Sequence, residues 1–333
     1  MARIGLVYDR FGDAPKPPGA PPDWDAEYEP EATVAALEDA LRTLGHEPVR
    51  LGNVPALLAR MGEGPLDVAA AVTIAESYGS RNREAHAPVL LELAGVPCLG
   101  SDALALSISL DKALTKTLAR AAGCATPAWA VVRSADGLEG AALPPFPLFV
   151  KPRYEGTAKG IAPTSRCDDA EALRAEIERQ AALYGQDLLV EAFVEGAEFT
   201  VAVVEDAAGR PVALPTLQRA VERETGIGLH ALERHEDAAA PFAYALPGTL
   251  DAALERRLQH DAVAVFRALE CRDFARADFR VDAAGTPHFL EINTLPTFAP
   301  DGTFAILAEL VGRSYPDFLA ETLGRGLRRL GIA

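Results

Sequence analysis

The feature that most restricts this chain is a charge set inside an apolar strand. Residues 287–294 read Pro-His-Phe-Leu-Glu-Ile-Asn-Thr, so Glu291 interrupts an otherwise hydrophobic run. A carboxylate in a buried strand needs a partner or a metal, because taking it out of water alone is costly. Residues 273–281 form a second apolar-alternating stretch, and Gly285 supplies the turn between the two. The segment is therefore predicted to be a hairpin. Alternate residues of a strand share a face, so Arg276 and Asp278 point one way on the first strand and Glu291 and Asn293 point together on the second. Two carboxylates and an amide oxygen make a hard-oxygen set that suits Mg²⁺, which takes one or two carboxylates and completes its shell with water and phosphates. Arg276 beside them implies an anionic reaction centre. For an isolated Asp/Glu pair the ordinary alternative is a solvated acidic face.

Composition excludes several partners. With 333 residues, 49% hydrophobic and 24% charged, the chain can build two or three lobes with real cores. A net charge of -16 argues against nucleic acid and against an anionic membrane surface, so any phosphate site must be made locally. Cys98, Cys124, Cys167 and Cys271 are widely spread without a C-x-x-C pair, which reads as free thiols in a reducing compartment and not as structural zinc. No leader-like segment or apolar run of about 18 residues is present, so a cytoplasmic location is expected.

Along the chain, residues 3–9, 47–51 and 67–74 read as strands and 30–44 and 83–93 as helices. That alternation predicts a parallel sheet with ligands beyond the carboxyl ends of its first and third strands, where Glu27 and the run Glu76-Ser77-Tyr78-Gly79 lie. Residues 103–122 are predicted to be one helix containing Asp111-Lys112, and 148–151, 187–193 and 198–205 strands. Helices are expected at 168–183, 250–269 and within 305–330, and 213–244 reads as an irregular active-site loop.

Three stretches could carry chemistry besides the hairpin. Residues 151–160, Lys-Pro-Arg-Tyr-Glu-Gly-Thr-Ala-Lys-Gly, end a strand in a small-residue loop whose amides can approach a phosphate, with the Thr157 hydroxyl as a further donor. It is not a P-loop, and an ordinary turn is the alternative. Lys151 ends an apolar strand, where its stem packs and its head can reach phosphate oxygens. Lys112 is a second candidate, with a solvated pair to Asp111 as the alternative reading. Residues 188–198 end one strand and start another; their backbone could meet an adenine edge, and Glu198 could accept from ribose hydroxyls.

The pattern R-x-D-F followed by L-E-I-N-T-x-P resembles the metal-binding end of ATP-grasp enzymes, most closely the D-alanine:D-alanine ligase branch. The resemblance implies a three-lobed α/β ATP-grasp fold. It would have an N-terminal parallel α/β substrate-side domain at 1–101, a central subdomain with the phosphate loop at 102–186, and a C-terminal subdomain with adenine hinge and metal site at 187–333. Lys112 and Lys151 match the family's phosphate-holding lysines, and its E-G-S-S-x-G loop looks like Glu155, Gly156, Thr157, Ala158, Lys159 and Gly160. Its adenine hinge resembles Glu191, Ala192, Phe193 and Val194, with Glu198 at the ribose position. Its Mg²⁺ ligands, where Mn²⁺ can substitute, correspond to Asp278, Glu291 and Asn293, and its oxyanion cation to Arg276.

The implied chemistry is activation of a carboxylate by ATP to an acyl phosphate, then attack by an amine to give an amide or dipeptide. D-alanine:D-alanine ligation is the nearest activity, ligation of other amino acids or peptides the second, and a non-catalytic nucleotide-binding regulatory protein the rival from another class. The family suggests a homodimer. The chain departs from the family at the substrate end. Ala26-Glu27-Tyr28-Glu29 stands where a Gly-Gly-x-Ser-x-Glu loop is expected, leaving Glu27 as the candidate for a substrate ammonium, with Glu29 behind it. In 295–303, Thr297 replaces a Gly and Gly302 stands at the place of a Ser. Residues 232–235 are nearest to the family's lid, which makes Arg234 its cation.

Overall fold

The computed structural model describes residues 1–232 and 243–332, so Arg234 lies outside the described residues. The first sheet is parallel throughout, with Arg3–Tyr8 between Glu47–Gly52 and Ala70–Ile74 and with Cys98–Leu99 at the edge. Strands covered on both faces need continuous apolar runs, and Ala70–Ile74 is buried along its whole length. The helix Glu31–Thr43 buries Val34, Leu37 and Leu41, the stripe its spacing predicts. A helix not anticipated, Val54–Glu63, starts at Asn53, whose side chain accepts from the Ala56 amide ahead of an early proline.

The closing helices Thr303–Leu310 and Tyr315–Arg329 return to this first sheet. Phe298, Phe304, Phe318 and Leu323 share one buried cluster with Ile4, Leu6, Leu37 and Leu41. Phe274 meets Phe298 edge to face at 4.9 Å. Asp273 adds polar fixation, accepting from the Gly100 amide at 2.8 Å and from Arg329 at 2.8 and 2.7 Å.

The helix expected over 103–122 is two. Ala103–Leu110 stops at Asp111, which takes up extended backbone and caps Lys112–Ala121 by accepting from the Ala113 and Leu114 amides. Aspartate favours such a cap over a helix interior because its short carboxylate competes for the same amides. Asp111 also pairs with Arg153 at 2.7 Å, so it does not serve as a surface partner of Lys112.

The second sheet is antiparallel, in the order Trp129–Val132, Leu188–Ala192, Leu148–Pro152, Arg166–Cys167, backed by the helix Ala170–Tyr184. Trp129–Val132 was not legible as a strand, and Leu188–Ala192, beyond residue 186, hydrogen-bonds within this sheet. The third sheet runs Pro211–Ala213, Ala197–Glu205, Phe274–Val281, Pro287–Asn293, with Leu217–Arg219 also on Ala197–Glu205. Helix Ala252–Ala268 covers its apolar face. The stretch expected to be irregular contains short elements, Leu217–Arg219, Val221–Glu222 and Leu229–Leu232. All four cysteines are free thiols, as composition implied. Among the described residues no helix is long and apolar enough to cross a membrane.

Gly196 joins the second sheet to the third at φ 139°, and a Cβ there would stand 2.0 Å from the Val281 carbonyl oxygen. Only glycine tolerates that backbone region. Gly196→Ala is therefore expected to cost at least roughly 1–3 kcal/mol, read as a lower urea midpoint; an unchanged midpoint would refute the tightness of this junction.

Candidate active site

The hairpin forms as its sequence requires, with Asp278 opposite Glu291 and Arg276 opposite Asn293. The neighbouring strand sets Thr200 against Asp278 and Glu198 against Arg280, so one sheet face collects these groups. Arg276 lies 3.0 Å from Asp278, which also accepts from the Thr200 hydroxyl. Lys112, in the first turn of its helix, reaches Glu291 at 3.0 Å and donates to the Glu155 carbonyl. Burial pushes the Glu291 carboxyl up, but Lys112, Lys151 and Arg276 outweigh it and hold it down to about 2. Glu291 is therefore a carboxylate at neutral pH.

Two cavities border this face. The larger lies between the second and third sheets, with Lys151, Glu191, Val194, Glu198, Ala158 and Asp278 on its walls. Phe149 and Phe193, 5.8 Å apart, make one apolar side, and the Arg280 guanidinium stacks 4.8 Å from the Phe193 ring. Glu191 is fully engaged inside the protein, 2.8 Å from Lys151 and 2.7 Å from Lys116. Burial drives the Lys116 ammonium down to about 8 against the pull of Glu191. Sequence reasoning missed Lys116, although its i, i+4 spacing from Lys112 placed both on one helix face. The expected hinge needs a correction. The Ala192 and Phe193 amides donate to the Ala128 and Pro147 carbonyls, so these two donors are not available to a ligand. The cause is the unanticipated strand on one side and Leu148–Pro152 on the other, which complete the ladder.

The smaller cavity is lined by Glu27, Glu76, Glu84, Thr157, Arg276 and Asn293. Lys112 and Glu291 border both spaces. The loop from Glu155 to Gly160 divides them, with Thr157 and Ala158 in left-handed backbone at φ 49° and 58°, a strain that persists where the surroundings impose it. Its expected amide cradle is partly spent: Gly156 donates to Glu27 at 2.7 Å and Gly160 to Asp23 at 3.0 Å, which tie the loop to the first lobe. Glu155 pairs with Lys159, which sequence reasoning left within the loop without a role.

Glu27 is the candidate glutamate that faces the cavity, whereas Glu29 accepts from Thr33 at 2.8 Å. Glu27, the candidate for a substrate ammonium, already has partners within the protein. Both its oxygens are engaged, by Arg83 at 2.7 and 2.9 Å, by Lys159 at 3.2 Å and by the Gly156 amide. Burial raises its carboxyl, and Arg83 and Lys159 bring it back to about 2. Arg83 was not found from sequence, because nothing local announces a contact with a residue 56 positions away. Glu76 and Glu84 present the opposite case: burial and neighbouring acids push both carboxyls up, Glu84 to about 7.

The donor chemistry suits a divalent cation. Asp278 and Glu291 are the two carboxylates, Asn293 supplies an amide oxygen that already accepts from the Leu295 amide, and such an oxygen has a second lone pair. Among the described residues no three His, Cys, Asp or Glu are grouped for a metal. Two carboxylates are what Mg²⁺ uses when phosphates complete its shell.

A family model and a curated ligase point to one family. Residues 118–323 match the model of the D-ala D-ala ligase C-terminus. An uncharacterized protein, y4sG of Sinorhizobium fredii, is 32% identical over 97% of this chain and 94% of its own length. The D-alanine–D-alanine ligase of Cupriavidus taiwanensis is 37% identical over 70% of this chain and 69% of its own. Among solved structures, the VanG D-Ala:D-Ser ligase of Enterococcus faecalis superposes with a TM-score of 0.72 at 18% identity, covering 97% of this chain and 99% of that one.

The Glu84 environment predicts a pH effect. A carboxyl raised from 4.5 to about 7 in the folded state adds stability that is complete below pH 4.5 and lost as pH rises through 7. Melting temperatures of the native protein, measured against Glu84→Gln from pH 5 to 8, are expected to move against the native protein as pH rises; a constant difference would contradict this environment.

Proposed function

Because the chain belongs to the D-alanine–D-alanine ligase family of ATP-grasp enzymes, we propose that it is an ATP- and Mg²⁺-dependent ligase joining a carboxylate to an amine. The observation that carries this reading is the shared border: Lys112 and Glu291 line both cavities, so a phosphoryl group held there can be passed from one space to the other. The larger space would take ATP, with its base along Phe149 and Phe193, its ribose near Glu198, and its phosphates toward Lys151 and Lys112. Asp278, Glu291 and Asn293 would hold Mg²⁺, with Mn²⁺ as a substitute; the ion supplies charge neutralisation on the phosphates.

In the smaller space a substrate carboxylate oxygen attacks the γ-phosphorus, the bond to the β-phosphate oxygen breaks, and ADP leaves. The amine then adds to the acyl carbon, loses a proton, and phosphate departs as the amide forms. Arg276, fixed by Asp278, stabilises the oxyanion of the addition step. Lys112 and Lys151, held in ion pairs with Glu291 and Glu191, place positive charge where phosphate charge develops. No protein nucleophile is needed, since positioning and electrostatics suffice.

D-alanine:D-alanine ligation is the family activity nearest to this site, and ligation of another amino acid or peptide is the second reading, favoured by Thr297 and Gly302. The division at residue 101, a homodimer and a cytoplasmic location belong to the proposal, with the second division moved from residue 186 to beyond Ala192, whose strand pairs within the second sheet. A purely regulatory nucleotide binder has no use for Arg276 beside the hairpin acids. Phosphate release from ATP and Mg²⁺ across paired D- and L-amino acids and amines tests the reading. Turnover dependent on one pair is expected, with kcat lowered about 10²- to 10³-fold in Arg276→Ala. Silence with every pair, or full activity in Arg276→Ala, would overturn it.

Lys151→Ala is expected to raise the KM for ATP by about tenfold, the loss of one charged contact. An unchanged KM would remove Lys151 from the phosphate site.

A further inference from the structure

We propose that the substrate supplying the amine is an amino acid with a second carboxylate, and that Arg219, together with Thr303, selects it by binding that second carboxylate. This rests on the ligase reading for the presence of an acceptor and deepens it by naming the acceptor's class. Arg219 ends the strand Leu217–Arg219, opposite Glu198 of Ala197–Glu205, and Glu198 in turn stands opposite Arg280 of the hairpin. Residues directly opposite each other share a face, and so do alternate residues along a strand. Arg219 therefore belongs to the sheet face that carries Asp278 and Arg276. Its Nη2 donates to the Thr303 hydroxyl at 2.5 Å. Thr303 is 6% exposed and opens the helix Thr303–Leu310, directly after the segment where Thr297 and Gly302 depart from the family.

The other cations of this face have acids beside them. Arg276 is paired with Asp278, Lys112 with Glu291 and Lys151 with Glu191, and Arg280 has Glu198 at 3.9 Å. Among the described residues no carboxylate lies within ion-pair distance of Arg219, whose five N–H donors have the Thr303 hydroxyl as their acceptor. The charge is costly where it stands: burial first, and then the neighbouring Arg276, push the Arg219 guanidinium down from its usual range. A half-buried guanidinium without an acid is the position that a ligand carboxylate would complete, since the planar fork takes both oxygens of a carboxylate in parallel. The Thr303 hydroxyl accepts from Arg219 and keeps its own proton to donate to the same ligand.

The main-chain carboxylate of an amino acid has a different place. Gly302 precedes the helix without a side-chain cap, and among the described residues the Thr303 and Phe304 amides have no acceptor. Two open amides at a helix start suit one carboxylate. An acceptor with a single carboxylate set there leaves Arg219 without a counter-charge, whereas an acceptor with two satisfies both. The second carboxylate takes no part in the bond that forms; it holds the acceptor while the amine, directed toward Arg276 and the hairpin, attacks.

Calorimetric titration of the full-length protein, holding Mg²⁺ and a non-hydrolysable ATP analogue, tests this with aspartate and glutamate in both enantiomers, each against asparagine or glutamine of the same hand. At least one acid is expected to bind about tenfold or more tightly than its amide. Acid and amide share the ammonium and the main-chain carboxylate, so the ratio reads the second carboxylate alone. Arg219→Gln is expected to bring that ratio close to one, and Arg219→Lys to retain part of it, while the ATP analogue still binds to both, which also shows that the variants fold. An acid that binds no better than its amide, or a ratio that survives Arg219→Gln, would overturn the inference. So would an Arg219→Gln effect confined to alanine against alaninamide, because Arg219 would then hold the main-chain carboxylate. Since binding needs no turnover, an absence of phosphate release would sink the ligase reading and leave this result standing.

Discussion

The ion pair between Lys112 and Glu291 is the contact on which the rest of the site depends. It brings the first turn of one helix against the second strand of the hairpin at 3.0 Å, and it sits where the two cavities meet. Glu291 would be pushed toward its neutral form by burial, and it stays ionised because three cations converge on it. Lys112 is aimed by the break at Asp111, which ends one helix, caps the next and is itself clamped by Arg153. A single helix through that position would have carried Lys112 at a different rotation. The cap is therefore as much part of the site as the lysine.

The same logic of charge matching extends outward. Lys151 and Lys116 share Glu191, and Arg83 and Lys159 share Glu27, so each lobe contributes a buried acid held by two cations. Pairs of this kind contribute little net stability after desolvation, but removing one member leaves an uncompensated charge. They fix side-chain positions in a cavity that must change its charge when a nucleotide enters. Glu76 and Glu84 stand outside this balance.

Much of the fold was legible because it is carried by local pattern. Apolar runs marked the parallel strands, the i, i+3, i+4 stripe marked the helix Glu31–Thr43, and Glu291 inside Phe-Leu-Glu-Ile marked the hairpin and its face. The failures have particular causes. The helix break at Asp111 was masked by a strong helical pattern on both sides, and the Trp129–Val132 strand is too short to show a period. Arg83, Lys116 and Glu84 share another property: each acquires its meaning from residues distant in sequence. The Ala192 and Phe193 amides were misjudged for the same reason, since their acceptors belong to other strands.

The return of the closing helices to the first sheet bears on how the chain can be made. Leu37 and Leu41 come early, yet the aromatic residues that cover them lie at 298, 304 and 318. During synthesis the first sheet therefore waits, with an apolar flank open, until more than two hundred further residues have emerged. Its completion is among the most non-local events in the molecule, and such closures are slow. The second sheet has no such debt, since its strands and covering helix lie within 129–192. The order of assembly then departs from the order of translation: the middle of the chain can close first, and the beginning only with the end.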